Sequence, residues 1–318
     1  MSLDVFSKGL KSGEIFSGIT EKQSRLSELR ICELAAVAYS ALDFAAKMKK
    51  NELTTCEILP LLSEELRSTD VDSSHSDFNL PENAERLEYT KRINENLDKA
   101  VFCELLCERA SEFDIDLSES EILGSAHAEP SFVYVKNAYS DEAYDVLTEN
   151  IKNARLDYVT SFKEAALAIS EDRATYCILP LEEHSARIGS VSELIAAYDL
   201  KINRITSVLG FDGTADMKFA MLSGFYDVPS RDAGDDRYLE IRHPADSQTE
   251  LSDIIFAAAA HGHSIYRLNT YRNIEDGETK MYYSLVLRDD VRDFSATLVY
   301  LSLFSEESTV VGIYKNLE

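Results

Sequence analysis

Apolar residues recur three to four positions apart from about Glu21 to Lys50, at Leu26, Leu29, Leu34, Val37, Ala38, Ala41, Leu42, Ala45 and Met48. That spacing puts them on one side of a helix and predicts a single long helix here. A shorter pattern covers Thr55 to Arg67, where Pro60 either interrupts the helix or begins it. Ser68 to Leu80 mixes Ser, Asp and His without a period and predicts a loop. Pro81-Glu82 then opens a second long helix to about Phe113, with Leu87, Ile93, Leu97, Val101, Leu105 and Leu106 on its apolar side. Residues 1–125 therefore read as an all-α unit, a helical bundle that dimerises.

The period changes at Pro130. Phe132 to Val135, Leu156 to Val159 and Tyr176 to Leu179 read as strands, with helices over Ser140 to Asn153 and Phe162 to Ser170 between them. This βαβαβ order predicts a small parallel sheet with right-handed crossovers, continued by a helix from Ser190 and a strand over Ile202 to Leu209. A turn at Asp212-Gly213-Thr214-Ala215-Asp216 leads into the strand Phe219 to Leu222, and the unit spans 130–227. Val228 to Asp236, rich in Asp, Gly, Pro and Ser, is a linker. The last unit, 236–318, alternates strand Tyr238 to Arg242, helix Gln248 to Ala260, strands Ser264 to Tyr271 and Thr279 to Leu287, helix Val291 to Phe304 and strand Val310 to Tyr314. That is βαββαβ, the ferredoxin-like arrangement. The expected fold class is α/β plus α+β: a helical bundle, a small parallel-sheet lobe and a ferredoxin-like C-terminal domain.

Charge narrows the partners. The net charge of −25 repels nucleic-acid backbones and anionic membranes, and no basic groove or basic amphipathic anchor offsets it, so neither is expected as a partner. An anionic metabolite then needs a local cluster of Arg, Lys and backbone N–H groups. No apolar run reaches the roughly 18 residues of a membrane span, and no signal-peptide core opens the chain, so a cytoplasmic protein is expected. Five cysteines, at 32, 56, 103, 107 and 177, are an odd number. Cys103 and Cys107 are one helical turn apart, the spacing of a buried helix face, with a metal site or disulfide as the other reading.

Polar groups gather in one place. Tyr176 to Leu179 is a short apolar strand whose ladder Pro180 is expected to stop, and Glu182, Glu183, His184 and Ser185 follow before the helix near Ser190. The C-terminal end of a strand beside a helix N-terminus is where open α/β sheets hold small anionic ligands. Ser140, at another helix start, reads as an N-cap or an anion ligand. His261-Gly262-His263 follows an apolar helix and reads as helix-end histidines meeting the dipole, against a metal pair that lacks a third ligand. Gly210-Phe211-Asp212-Gly213-Thr214 lacks the Lys and helix of a phosphate loop and reads as a turn. No metal or cofactor is expected.

The order Tyr176-Cys177-Ile178-Leu179-Pro180-Leu181-Glu182-Glu183-His184-Ser185, then Gly189 and Val191, resembles the prephenate dehydratases, which carry Asp-Tyr-x-Val-x-Pro-Ile-Glu-Asn-Ser, a glycine-containing link and Ser-Val at this point. The C-terminal βαββαβ pattern, with Gly262 after its first helix and a hairpin at Glu275-Asp276-Gly277-Glu278, resembles an ACT domain, a small-molecule sensor that pairs into dimers. Helical N-terminus, dehydratase-like lobe and ACT domain follow the order of the bifunctional chorismate mutase and prephenate dehydratase. The resemblance implies ligand-binding roles for Ser140, Glu183 and His184 in the lobe, and for Thr249, Leu251, Asn269 and Thr270 in the ACT domain. There the family has Gly-Ala-Leu-Val and Glu-Ser-Arg-Pro, and this chain has Gln248-Thr249-Glu250-Leu251 and Asn269-Thr270-Tyr271-Arg272.

Departures from the family set the functional expectation. Its first loop, Gly-Pro-x-Gly-Thr-Phe-Ser, is shortened here to Lys136-Asn137-Ala138-Tyr139-Ser140 without glycines. Its second lobe precedes a Thr-Arg-Phe motif; here only a short stretch separates Leu209 from Met217-Lys218-Phe219, and Met217 donates no proton. The expectation is a phenylalanine-pathway protein that has lost dehydratase chemistry and keeps an amino-acid-sensing ACT domain. Its partners would be an aromatic amino acid or shikimate-pathway metabolite and a second copy of the chain, through ACT and helical domains. Glu182, Ser185 and Lys218 are the dehydratase candidates. The alternative is a working enzyme, dehydratase or chorismate mutase, the latter using Arg30 and Lys47, about five helical turns apart on the first helix, to hold a dianion.

Overall fold

A computed structural model of the chain describes residues 28–68, 84–126, 128–209, 216–231, 236–275, 278–290 and 292–317. The expected loop before Leu80, the opening of the second long helix at Pro81-Glu82, the start of the first helix before residue 28, the turn at 210–215 and Asp276-Gly277 lie outside them, as do residues 232–235 of the 228–236 linker. The first helix, α1, covers 28–49 and buries Ala38, Ala41, Leu42 and Ala45. The second, α2 (Thr55–Ser68), starts on a capping box: the Glu57 carboxylate accepts the Thr54 N–H at 2.8 Å and its hydroxyl at 2.6 Å. Pro60 sits inside α2 and neither starts nor ends it, because Ile58, Leu59 and Leu62 on the same stretch are fastened in the core. The long helix α3 (Ala84–Arg109) runs on through a 3-10 turn, Ala110–Phe113, and α4 (Glu119–Leu123) ends at Gly124 with φ 61°. Cys103 is buried and Cys107 packs against the same core, which raises both thiols by burial, Cys107 to about 12.

Among the described residues ten strands follow with five helices among them: β1 (Ser131–Val135), α5 (Ala138–Leu147), β2 (Arg155–Val159), α6 (Phe162–Ser170), β3 (Tyr176–Glu183), β4 (Ala186–Arg187), α7 (Gly189–Ala197), β5 (Lys201–Leu209), β6 (Asp216–Ser223), β7 (Arg237–Pro244), α8 (Leu251–Ala260), β8 (His263–Glu275), β9 (Glu278–Asp289), α9 (Ser295–Phe304) and β10 (Thr309–Leu317). They form one sheet in the order β2-β1-β3-β6-β5-β10-β7-β9-β8, with β4 paired to β3 alone. The expected parallel ladder holds for β2-β1-β3; β6 enters antiparallel between β3 and β5, giving a mixed α/β sheet. β10 runs parallel to β5 and antiparallel to β7, and so joins the two halves of the sheet. Gly312 makes that join close: a Cβ there would stand 2.1 Å from the Ile202 carbonyl oxygen.

Strand alternation sorts the core. On one face Leu239, Ile241, Leu285, Leu287 and Ile313 pack under α8 and α9, which are covered in turn by α2, α3 and α4, with the buried side of α1 in the same core. Tyr238, Val286, Val311 and Tyr314 belong to the opposite face, in a core shared with α6 and α7. Two expectations fail locally. Pro180 does not stop β3, because it lies past the last pairing with β1 (Tyr134 with Ile178), and β6 carries the ladder onward through a register shift between Pro180 and Glu182. The histidines after α8 do not meet its dipole as cations. His261 is buried, with Nε2 donating to the Ala100 carbonyl at 3.0 Å and Nδ1 2.9 Å from Thr297 Oγ1, and burial lowers its pKa. Among the described residues no helix is long and apolar enough to cross a membrane.

Candidate functional site

The segment expected to be a ligand loop is a tight hairpin. Glu182 pairs with Arg187 and Glu183 with Ala186 across a two-residue turn, His184 and Ser185, whose φ angles are 49° and 63°. Two consecutive positive φ values are the signature of the turn that matches strand twist, normally filled by Asn-Gly. Alternation then points Glu182 inward and leaves Glu183, His184 and Ser185 exposed at the tip. The structure thus separates four residues that are neighbours in sequence.

Glu182 is 1% exposed and surrounded by cations from three strands. The Arg267 guanidinium, from β8, touches Oε1; Lys218 Nζ, from β6, is 3.7 Å from Oε2; Arg187, from β4, is 4.0 Å from Oε1. Burial pushes this carboxyl up, and Arg267, Lys218 and Arg187 together outweigh it, holding the group below the usual carboxylate range. Arg187 also spans to Glu240 on β7, at 3.0 and 3.3 Å, and donates from Nε to Ser192 Oγ at 3.2 Å. Glu240, 2% exposed, further accepts from Ser284 Oγ at 3.0 Å and Tyr314 OH at 3.2 Å. Burial holds the Tyr314 phenol well above its ordinary value, so it stays protonated and donates to Glu240. Lys218, Arg187 and Arg267 against Glu182 and Glu240 leave one net positive charge in this cluster.

Beside the cluster a crevice opens between α7 and the face of β7, β8 and β9. Arg187, Ile195, Glu240, Arg242, Asn269 and Tyr271 line it, with Thr270 and Ser284 at its edges. Measured at the centres of water molecules it holds about 40 Å³, room for a few waters at the roughly 10–15 Å³ one requires. Arg242 lies over the Tyr282 ring at 5.4 Å from its centroid and beside the Tyr271 hydroxyl. Burial raises that phenol to about 12, with Arg242 opposing the rise.

The other candidates are dispersed. Ser140 is not the cap of α5: Asn137 is, its side chain accepting the Ser140 N–H at 2.9 Å, and Ser140 itself is buried. Asn269 and Thr270 line the crevice, whereas Thr249 and Leu251 lie at the start of α8. Thr249 donates to the Phe304 carbonyl at 3.0 Å and accepts from His243 Nε2 at 3.0 Å, and Leu251 packs into the helical core. Arg30 is paired with Asp98 at 2.8 Å and Glu33 at 3.0 Å, and Lys47 with Asp43 at 2.6 Å, all largely at the surface. Lys47 borders a groove among α1, α2, α3 and α9, whose lining does not include Arg30. Sequence reasoning missed Arg187, Arg267, Glu240 and Arg242. The available signal was charge at alternate positions of otherwise apolar strands, Glu240 and Arg242 between Leu239, Ile241 and His243.

No family model matches the chain, and no curated protein does. Solved structures similar to part of it include prephenate dehydratases. That of Streptococcus mutans has 11% identity and a TM-score of 0.47 over 59% of this chain and 100% of its own. That of Arthrobacter aurescens, in complex with L-Phe, has 12% identity and a TM-score of 0.43 over 58% of this chain and 89% of its own. GqqA, described as a novel type of quorum quenching acylase, has 19% identity and a TM-score of 0.43 over 58% and 93%. These are likenesses of chain trace and say nothing of activity.

Proposed function

We propose that this chain is a ligand-sensing protein of aromatic amino acid metabolism, built from a prephenate-dehydratase-like unit that no longer reacts and an ACT-type C-terminal unit. The observation that carries this reading is the contact between Arg267 and Glu182. Dehydration with decarboxylation needs a protonated acid facing the leaving hydroxyl in a cavity that admits the substrate. Glu182 is the one buried acid of the motif; it is held ionised by three cations and covered by a strand of the C-terminal unit. Lys218 is engaged with the same carboxylate, and Ser185 faces solvent at a hairpin tip. Among the described residues, nothing at this place combines an acid proton with room for a ring.

The antiparallel order β10-β7-β9-β8 with α8 and α9 on one face supports the ferredoxin-like, ACT-type reading of 236–318, with 130–227 as the dehydratase-like lobe and 1–125 as a helical unit. The ligand class in this reading is an aromatic amino acid or a metabolite of its pathway, and the functional unit a homodimer. The competing reading is a chorismate mutase. One feature favours it: the groove of about 990 Å³ among the described helices, bordered by Lys47, Arg67 and Lys99. Purified protein incubated with prephenate and separately with chorismate separates the readings. No phenylpyruvate and no chorismate consumption are expected, together with a rise in melting temperature on adding an aromatic amino acid. Turnover of either substrate overturns the proposal.

A further inference from the structure

The crevice between α7 and the sheet contains an arginine that no acid among the described residues answers. The chain has 57 acidic residues against 32 basic, so an unpaired guanidinium in a recess runs against composition. The other crevice cations are committed. Arg187 is bound to Glu240 and Glu182, and Lys201 to Asp199 at 2.6 Å. Arg242 has the Tyr282 ring under it and the Tyr271 hydroxyl beside it, and forms no ion pair with any described carboxylate. A ring under a guanidinium fixes its plane and leaves its edge donors available, the arrangement that grips a carboxylate through two parallel hydrogen bonds.

The surroundings fit an acid head rather than a bare ion. Asn269 and Thr270 supply neutral polar groups, and Ile195, Ala196, Val310 and Val311 an apolar wall, all bordering the same recess. The enclosed part holds only a few waters, so a ligand places its carboxylate inside and its body in the mouth. Glu240 is saturated by Arg187, Ser284 and Tyr314 and does not compete for Arg242.

We infer that this crevice is a binding site for a small organic carboxylate, with Arg242 as the anchor of the acid group. The inference deepens the sensing role proposed above and rests on it. Arg187 and Glu240 link the site to the buried Glu182, so an occupant of the crevice adjoins the contact between the two halves of the sheet.

The test is titration calorimetry on the full chain with L-phenylalanine, phenylpyruvate, L-phenylalaninamide and inorganic phosphate. The comparison is wild type, Arg242→Gln, Arg242→Lys and, as a remote control, Arg155→Gln on the edge strand β2. Carboxylates are expected to bind and the amide not. Arg242→Gln is expected to weaken binding by about 30-fold or more, Arg242→Lys by less, and Arg155→Gln not at all. Near-UV circular dichroism confirms that each variant is folded, and the lysine variant carries the test if the glutamine variant is not. Carboxylate binding that survives Arg242→Gln overturns this site and leaves the sensing role standing. Equal binding of amide and acid, or of phosphate, overturns the carboxylate assignment. Failure of the wild type to bind any carboxylate overturns both proposals, whereas prephenate turnover with binding still lost in Arg242→Gln overturns only the non-catalytic reading.

Discussion

Arg267 on β8 closes against Glu182 on β3, so an acid of the α/β half is neutralised by a strand that the chain reaches only near its C-terminal end. The pair does not stand alone, since Lys218 and Arg187 face the same carboxylate. Removing Glu182 therefore leaves Arg267 and Lys218 side by side without this carboxylate, Arg187 keeping Glu240, whereas removing Arg267 leaves the acid with two partners. Glu182→Ala is expected to lose about 3–5 kcal/mol of unfolding free energy and Arg267→Ala clearly less. Urea denaturation of both variants measures the difference; equal losses would mean that the carboxylate matters only to Arg267.

Acid should weaken the same joint. The folded-state pKa of Glu182 is depressed, so its contribution is complete above the ordinary glutamate value of about 4.3 and disappears as pH falls through the folded value. Wild type is expected to lose stability more steeply than Glu182→Gln below that pH, although the variant starts lower. Midpoints of urea unfolding across the acid range test this, and parallel acid limbs would exclude Glu182 as the source.

His263 adds a second, separate pH window. It is 6% exposed, its ring lies 4.8 Å from Phe294, and neither nitrogen has a hydrogen-bond partner among the described residues. Burial, with His261 adding to it, lowers its pKa to about 4. Between the ordinary histidine value and that one the unfolded chain binds a proton and the folded chain does not. Stability falls as pH drops through this window, in total by something on the order of 3 kcal/mol. His263→Leu is expected to flatten the slope between pH 4 and 6.5 while leaving the steeper fall below it.

Much of this was legible in the chain and the decisive parts were not. The α6 helix, the three strands of the βαβαβ run and the βαββαβ order follow from apolar period alone, because each element buries one continuous face. The hairpin at Glu182 escaped notice because its turn is His184-Ser185 rather than Asn-Gly, two side chains held at positive φ by the pairing on either side. Pro180 misled for a related reason: a proline is excluded from a ladder only where its missing N–H is needed, and β1 has already ended there. The cluster itself joins β3, β4, β6, β7 and β8. Nothing local in sequence brings Arg267 to Glu182; the β5–β10 pairing does.

The helices are tied to the sheet by a second buried network. Arg237, 1% exposed, donates to both oxygens of Glu119 at 2.7 Å and from Nε to Asp289 at 2.9 Å, and Glu119 also accepts the Phe294 N–H at 2.7 Å. Glu119→Ala removes the two-pronged partner of the guanidinium, which keeps Asp289 on its Nε, leaves the Phe294 N–H without this acceptor in the interior, and is expected to cost about 3–5 kcal/mol. Glu119→Gln, which keeps one acceptor, is expected to cost less. Thermal unfolding of both variants orders the two.

Gly312 is the most exacting position in the joint between the halves. Its missing side chain is what lets β10 approach β5: a Cβ would lie 2.1 Å from the Ile202 carbonyl oxygen and 2.9 Å from its carbonyl carbon, and backbone atoms of a central strand have nowhere to move. Gly312→Ala is therefore expected to lose about 3 kcal/mol or more, at the upper end of overpacking effects. The damage should be local before it is global, with amide exchange accelerating first along Ile202–Thr206 and Lys315–Leu317, where the strands pair. Gly189→Ala is the control. It opens α7, has no atom within 4 Å of the added methyl, and is expected to be neutral or to stabilise by roughly 0.4–1 kcal/mol through the unfolded chain. Equal effects of the two substitutions would mean that β10 and β5 are not held at this distance, and the closure of Arg267 over Glu182, which depends on that join, would go with it.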